Sequence, residues 1–134
     1  MVKINDIEIG IEFNSSNGFD NESYVDIESG NIIFVSDIID ERPPEDLYEN
    51  EKYVLLPTKQ ELGLGKPLVL DFISETKNEL YDEVYEIFSS RGAYRRFRSF
   101  LEHNDLLELW YKFEEKKTHE AIIQWCDERN IPLS

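Results

Sequence analysis

The apolar residues change their spacing near residue 66, and that change limits the fold more than any other feature of the chain. Before it, short runs rich in Ile, Val, Tyr and Phe are separated by Gly, Asn, Pro and acidic residues. After it, apolar residues recur every three or four positions, as in Leu80, Val84, Ile87 and Phe88. Strands early and helices late in 134 residues predict an α+β domain. We expect a short N-terminal helix and a small antiparallel sheet of two to three strands, packed on a C-terminal bundle of about four helices, as one domain over residues 1–134. No linker or repeat divides the sequence.

The plainest local signal is a hairpin. Tyr24, Val25 and Ile27 lead through Glu28-Ser29-Gly30-Asn31 into Ile32, Ile33, Phe34 and Val35, with Gly30 or Asn31 able to take a positive φ. Residues 14–22, rich in Asn, Ser and Gly, read as a loop, and so does the acidic Pro43-Pro44 stretch over residues 37–51, with room for a short helix from Pro44. Residues 52–57 can add a third strand, and helices from the second half are expected to cover the sheet. Residues 4–13 are ambiguous: Ile7, Ile9, Ile11 and Phe13 alternate like a strand, whereas Ile4, Ile7 and Ile11 also fit a helix.

In the second half, Asn78 can cap a helix starting near Glu79, and Ser89-Ser90-Arg91-Gly92 breaks the chain before an Arg-rich helix ending near Asn104. A long helix over about 105 to 129 then carries Leu106, Trp110, Phe113, Ile122, Trp125 and Cys126, with Pro132 just past its end. Trp110 and Trp125 read as core anchors.

Charge narrows the partners. Residues 1–66 carry 15 acidic and 5 basic side chains, and residues 67–134 carry 14 and 9, for a net charge of -15. Such a surface repels nucleic-acid phosphate and anionic lipid, so general binding to either is disfavoured. No apolar run is long enough to span a bilayer, and the Met-Val-Lys-Ile start lacks a signal peptide's apolar region, which together predict a cytoplasmic protein. Cys126 is the only cysteine, so it can form no disulfide within the chain.

One segment opposes the acidic background. Residues 91–98 read Arg-Gly-Ala-Tyr-Arg-Arg-Phe-Arg. On a helix, Arg91, Arg95 and Arg98 share one side, while Tyr94, Phe97 and Leu101 line another. Guanidinium groups suit carboxylate or phosphate, and pairing with the chain's own acids is the competing use for them. Arg91, Arg95, Arg96 and Arg98 are therefore the candidate binding residues.

The runs Tyr-Val-Asp-Ile-Glu-Ser-Gly-Asn-Ile-Ile-Phe (24–34) and Arg-Gly-Ala-Tyr-Arg-Arg-Phe-Arg-Ser-Phe-Leu (91–101), followed by Leu106–Phe113 and Ala121–Ile131, resemble the uncharacterised bacterial protein family UPF0158 over about residues 4 to 131. The resemblance implies a helix for residues 4–13, then the hairpin with Gly30 at its turn, then the helical half. It also implies structural roles for Gly30, Gly92, Tyr94, Phe97, Trp110, Phe113 and Trp125, beside Arg95 and Arg96. The acidic insert at 41–46, with Lys117 and Thr118, departs from the family's pattern. No reaction, substrate or partner follows from it.

The remaining residues offer little chemistry. His103 and His119 are sixteen apart, which matches no short metal-ligand motif; the first reads as a helix cap and the second as exposed on the last helix. Asp71, Glu75 and Glu79 repeat at four-residue intervals, as solvated helix faces do. Cys126 reads as a buried small hydrophobe. Gly63-Leu64-Gly65-Lys66 is followed by Pro67 where a phosphate loop needs Ser or Thr. No cofactor or metal is expected.

The leading functional reading is a non-catalytic cytosolic binding or regulatory module, whose Arg-rich helix holds an acidic protein or a phosphate-bearing ligand. The alternatives are a divalent-metal hydrolase or nuclease using Asp and Glu, and an acidic nucleic-acid mimic. The aromatics of the second half could also close a homodimer contact.

Overall fold

In the computed structural model, which describes residues 1–15 and 20–134, the first helix settles the ambiguity at the N-terminus. Helix α1 spans Ile4–Asn14 and buries Ile7, Gly10 and Ile11, while Ile9 is 56% exposed. A strand would have put Ile7, Ile9 and Ile11 on one face. The helix separates Ile9 from the other two because its period is 3.6. Of the expected loop over 14–22, residues 16–19 lie outside the described residues, Asn14 ends α1 and Glu22 opens the first strand.

The hairpin forms as the sequence predicts. Strand β1 is Glu22–Asp26, β2 is Ile32–Val35, and Val25 faces Ile32 across the antiparallel pair. Gly30 turns the chain at φ 83°, and Asp26 accepts the N–H groups of Glu28 and Ser29 on its Oδ1 at 2.9 and 3.2 Å. Strand β3, Tyr53–Leu55, pairs with the other side of β1, giving the order β2-β1-β3. Residues 37–51 contain turns without a helix, and Leu47 is buried there.

The chain divides into two compact units. One comprises Met1–Leu62 with His119–Ser134. Its core joins Ile7 and Ile11 of α1, Val25 of β1 and Leu56 to Ile122, Trp125 and Cys126 near the end of the last helix. The cover over this core face of the sheet thus comes from α1 and the final turns of that helix. Central β1 is buried on both faces apart from its first residue; Tyr24, on the opposite face, meets the ring of Tyr48 edge-on. Gly10 is needed where α1 approaches β1: a Cβ there would strike the Leu56 methyl group and lie 2.9 Å from Ser23 Oγ, which donates to the Gly10 carbonyl at 2.9 Å.

The other unit, Gly63–Thr118, is helical among its described elements and continuous in sequence. Helix α2 (Lys66–Thr76) buries Leu68, Val69, Phe72 and Ile73. A 3₁₀ turn, Asn78–Leu80, runs directly into α3 (Tyr81–Ile87), so Asn78 lies inside a turn and makes no side-chain cap. Helix α4 is Ala93–His103, and α5 is Leu107–Glu128. The core is a ring cluster around Trp110, whose centroid lies 5.3 Å from Phe72 and 5.2 Å from Phe97, both near edge-on. Phe113, partly buried, adds a tilted contact to Phe72 at 5.2 Å.

Two helix ends share one device. Beyond α4, Asp105 takes φ 55° and Leu106 N–H reaches back to the Leu101 carbonyl at 2.9 Å; beyond α5, Asn130 takes φ 55° and Ile131 N–H reaches Cys126 at 2.9 Å. These are Schellman ends, closed by buried pairs Leu101 with Leu106 and Cys126 with Ile131. Trp110 and Trp125 consequently anchor two different cores from one helix.

Candidate functional site

The Arg-rich segment begins with a sharp left-handed step. Gly92 at φ 74° is the N-cap of α4, offers no side-chain cap, and has no atom within 4 Å of the space a Cβ would occupy. Arg91 therefore lies in the turn before α4, within the break expected at residues 89–92, and so does not share a helical side with Arg95 and Arg98, because the left-handed glycine stops the helix behind it. The first turn of α4 holds no acidic residue. Its N–H groups form the positive end of the helix dipole.

All four arginines are exposed, but they are used differently. Arg96 is committed to the fold: Nη2 donates to the carbonyls of Ile87 at 3.1 Å and Ser90 at 3.3 Å, and to Ser90 Oγ at 2.6 Å. It thereby caps the C-terminal end of α3, where carbonyls have run out of helical partners. Arg98 pairs one turn along with Glu102 at 3.3 Å in the open. Arg91 and Arg95 make no ion pair or side-chain hydrogen bond among the described residues.

Tyr94 departs from the expected inward position. It is 58% exposed, and its ring meets Phe88 edge-on at 5.1 Å, so it closes the outside of the aromatic cluster rather than entering it. Partial burial, then the charge of Glu114, raise its hydroxyl above the usual tyrosine range and leave it a donor at neutral pH. Phe97, by contrast, is 2% exposed and central. The exposed side chains at the start of α4 thus include Arg91, Arg95 and Tyr94, beside helix N–H groups without a side-chain cap.

Other candidates resolve into ordinary structure. Asp71, Glu75, Glu79, Asp82, Glu83 and Glu86 are all exposed. Among the described residues no three His, Cys, Asp or Glu side chains converge as a metal-holding group. His103 Nδ1 lies 2.8 Å from the Ser99 carbonyl at the end of α4. His119 is half-buried rather than exposed, with Nε2 3.3 Å from Glu8 Oε2 of α1. Sequence spacing missed this contact because its partners lie 111 residues apart. Burial pushes the Cys126 thiol up to about 11, so it stays protonated and unreactive at neutral pH.

Comparison with known proteins gives a family. Residues 7–133 match the uncharacterised protein family UPF0158. The chain belongs to this family. A curated relative, the UPF0158 protein PA5073 of Pseudomonas aeruginosa, is 27% identical over 117 residues, covering 82% of this chain and 74% of the relative. No solved structure matches. Among the described residues, no UPF0158 helix here is long and apolar enough to cross a membrane.

Proposed function

We propose that this UPF0158 protein is a non-catalytic cytosolic binding module that holds a phosphate or carboxylate group of its partner at the start of α4. One observation carries the reading: Arg91 and Arg95 have no partners among the described residues, and they flank a helix start without a side-chain cap or first-turn acid. Helix N–H groups and planar guanidinium donors both favour a localised anion. The negative envelope of the whole chain disfavours a long polyanion and leaves a compact anionic group as the better fit. Arg96 serves by shaping the end of α3, with Arg98 partly neutralised by Glu102. The function is occupancy, without turnover.

The test is a titration of the isotope-labelled full chain with pyrophosphate and, separately, with a short polyglutamate peptide. Saturable shifts at Ala93, Tyr94 and Arg95 are expected for one of the two, which also separates the phosphate source from the protein source. The Arg91→Gln/Arg95→Gln variant should lose at least about 1.4 kcal/mol of binding, tenfold in affinity, with an unchanged folded spectrum. Absence of saturation by both probes, or equal affinity in the variant, overturns the proposal.

A further inference from the structure

The outer edge of β2 is a second place where this chain offers unused bonding groups. Asp26 N–H donates to the Asn31 carbonyl at 2.9 Å, and antiparallel pairs alternate between bonded and non-bonded. The register then makes Tyr24 and Ile33 a bonded pair and turns the N–H and C=O groups of Ile32 and Phe34 away from β1. Among the described residues no backbone group answers them. A cleft of 390 Å³ runs along this edge, lined by Asn31, Ile32, Ile33 and Phe34 on one side and by residues 41–44 on the other. Successive strand side chains point to opposite faces, so a cleft touching four in a row follows the backbone edge and not one face of the sheet. The facing wall contains Pro43 and Pro44, which have no N–H to give, so that wall is poorly suited to pair with β2 itself.

We propose that this slot receives an extended basic peptide segment, which adds a fourth strand beside β2. Backbone hydrogen bonds to Ile32 and Phe34 would supply affinity and the surrounding charge would select the partner. Glu41 and Arg42 are the charged residues lining the slot, and Asp40, Glu45 and Asp46, next to that lining segment in the chain, are exposed, in a chain of net charge -15. A second copy of the chain would bring two such acidic rims together, which disfavours self-pairing. The opposite edge of the sheet is a poorer site, because β3 has three residues and lies between Lys52 and Pro57.

The labelled full chain titrated with the peptide acetyl-(Lys-Val)₃-amide tests this. Saturable shifts at the Ile32 and Phe34 amides are expected. Methylating the peptide nitrogens of one alternate set should weaken binding at least tenfold, while methylating the other set should not. Replacing Lys by Glu in the peptide should also weaken it at least tenfold. Equal binding by the two methylated peptides, equal binding by the acidic peptide, or no shift at Ile32 and Phe34 overturns the proposal. So does sedimentation of the chain alone as a dimer with those two amides perturbed. Failure here leaves the Arg91 and Arg95 reading untouched, since the two tests report on different amides.

Discussion

The two units reach a buried core by opposite routes. In Gly63–Thr118 neighbouring segments of the chain surround Trp110 with rings, so the contacts are mostly local. In the other unit the core is largely aliphatic and its parts come from both ends of the sequence: Val2 bridges Leu133, and Ile7 shares a cluster with Ile122 and Trp125. Local contacts close with little loop entropy, whereas joining distant segments must overcome more before packing compensates. Helix α5 contributes to both, so the same element is held by two kinds of core.

That contrast breaks most sharply at the two tryptophans, each 6% exposed. Trp110→Ala and Trp125→Ala should each cost about 3–5 kcal/mol, the usual cost of emptying a large aromatic site. Their hydrogen-exchange patterns should differ. Trp110→Ala should deprotect α2 and α4 first, and Trp125→Ala should deprotect α1 and β1 first. Identical patterns from the two variants would mean that the cores open as one.

Glycine sharpens the comparison at smaller scale. Gly30 and Gly92 both take positive φ, but a Cβ on Gly30 would strike the Met1 carbonyl oxygen, whereas one on Gly92 would meet open space. Gly92→Ala should cost about 1–2 kcal/mol from conformation alone, and Gly30→Ala should exceed it by about 1 kcal/mol or more. Urea unfolding of both variants measures the gap, and equal midpoints would show that the N-terminus simply moves aside.

These positions also show what the sequence made legible. The Gly30 turn, the strand pairing around it and the helix after Gly92 were readable because they depend on neighbours a few residues away. Gly10 by propensity weakens a helix or a strand alike, and its use lies in a contact with Ser23 and Leu56 that only the fold creates. The division into two cores was hidden because α5 carries a continuous apolar pattern and nothing in spacing says which turns face which partner. The arginines were visible as a cluster, but their roles were not. Internal pairing was expected to involve acids, yet Arg96 binds carbonyl oxygens freed where α3 ends.

The smallest effect is electrostatic and belongs to the unit built from distant segments. Burial works to raise the Asp26 carboxyl, but the N–H groups of Glu28 and Ser29, the Ser29 hydroxyl and the Lys52 charge outweigh it and hold the group below its usual range. A carboxylate whose folded value is depressed contributes fully above the unfolded value of about 3.9, and the contribution fades as pH falls through the folded value. Asp26→Asn keeps the shape and an oxygen that can still accept both N–H groups but removes the charge, and it should cost about 1 kcal/mol at pH 7, the difference between a hydrogen bond to a charged group and a neutral one. The difference between the parent chain and the variant should shrink steadily below about pH 4, because protonation removes the same charge. A gap that persists at low pH would assign the effect to the shape of the turn at Gly30 and detach it from the carboxylate.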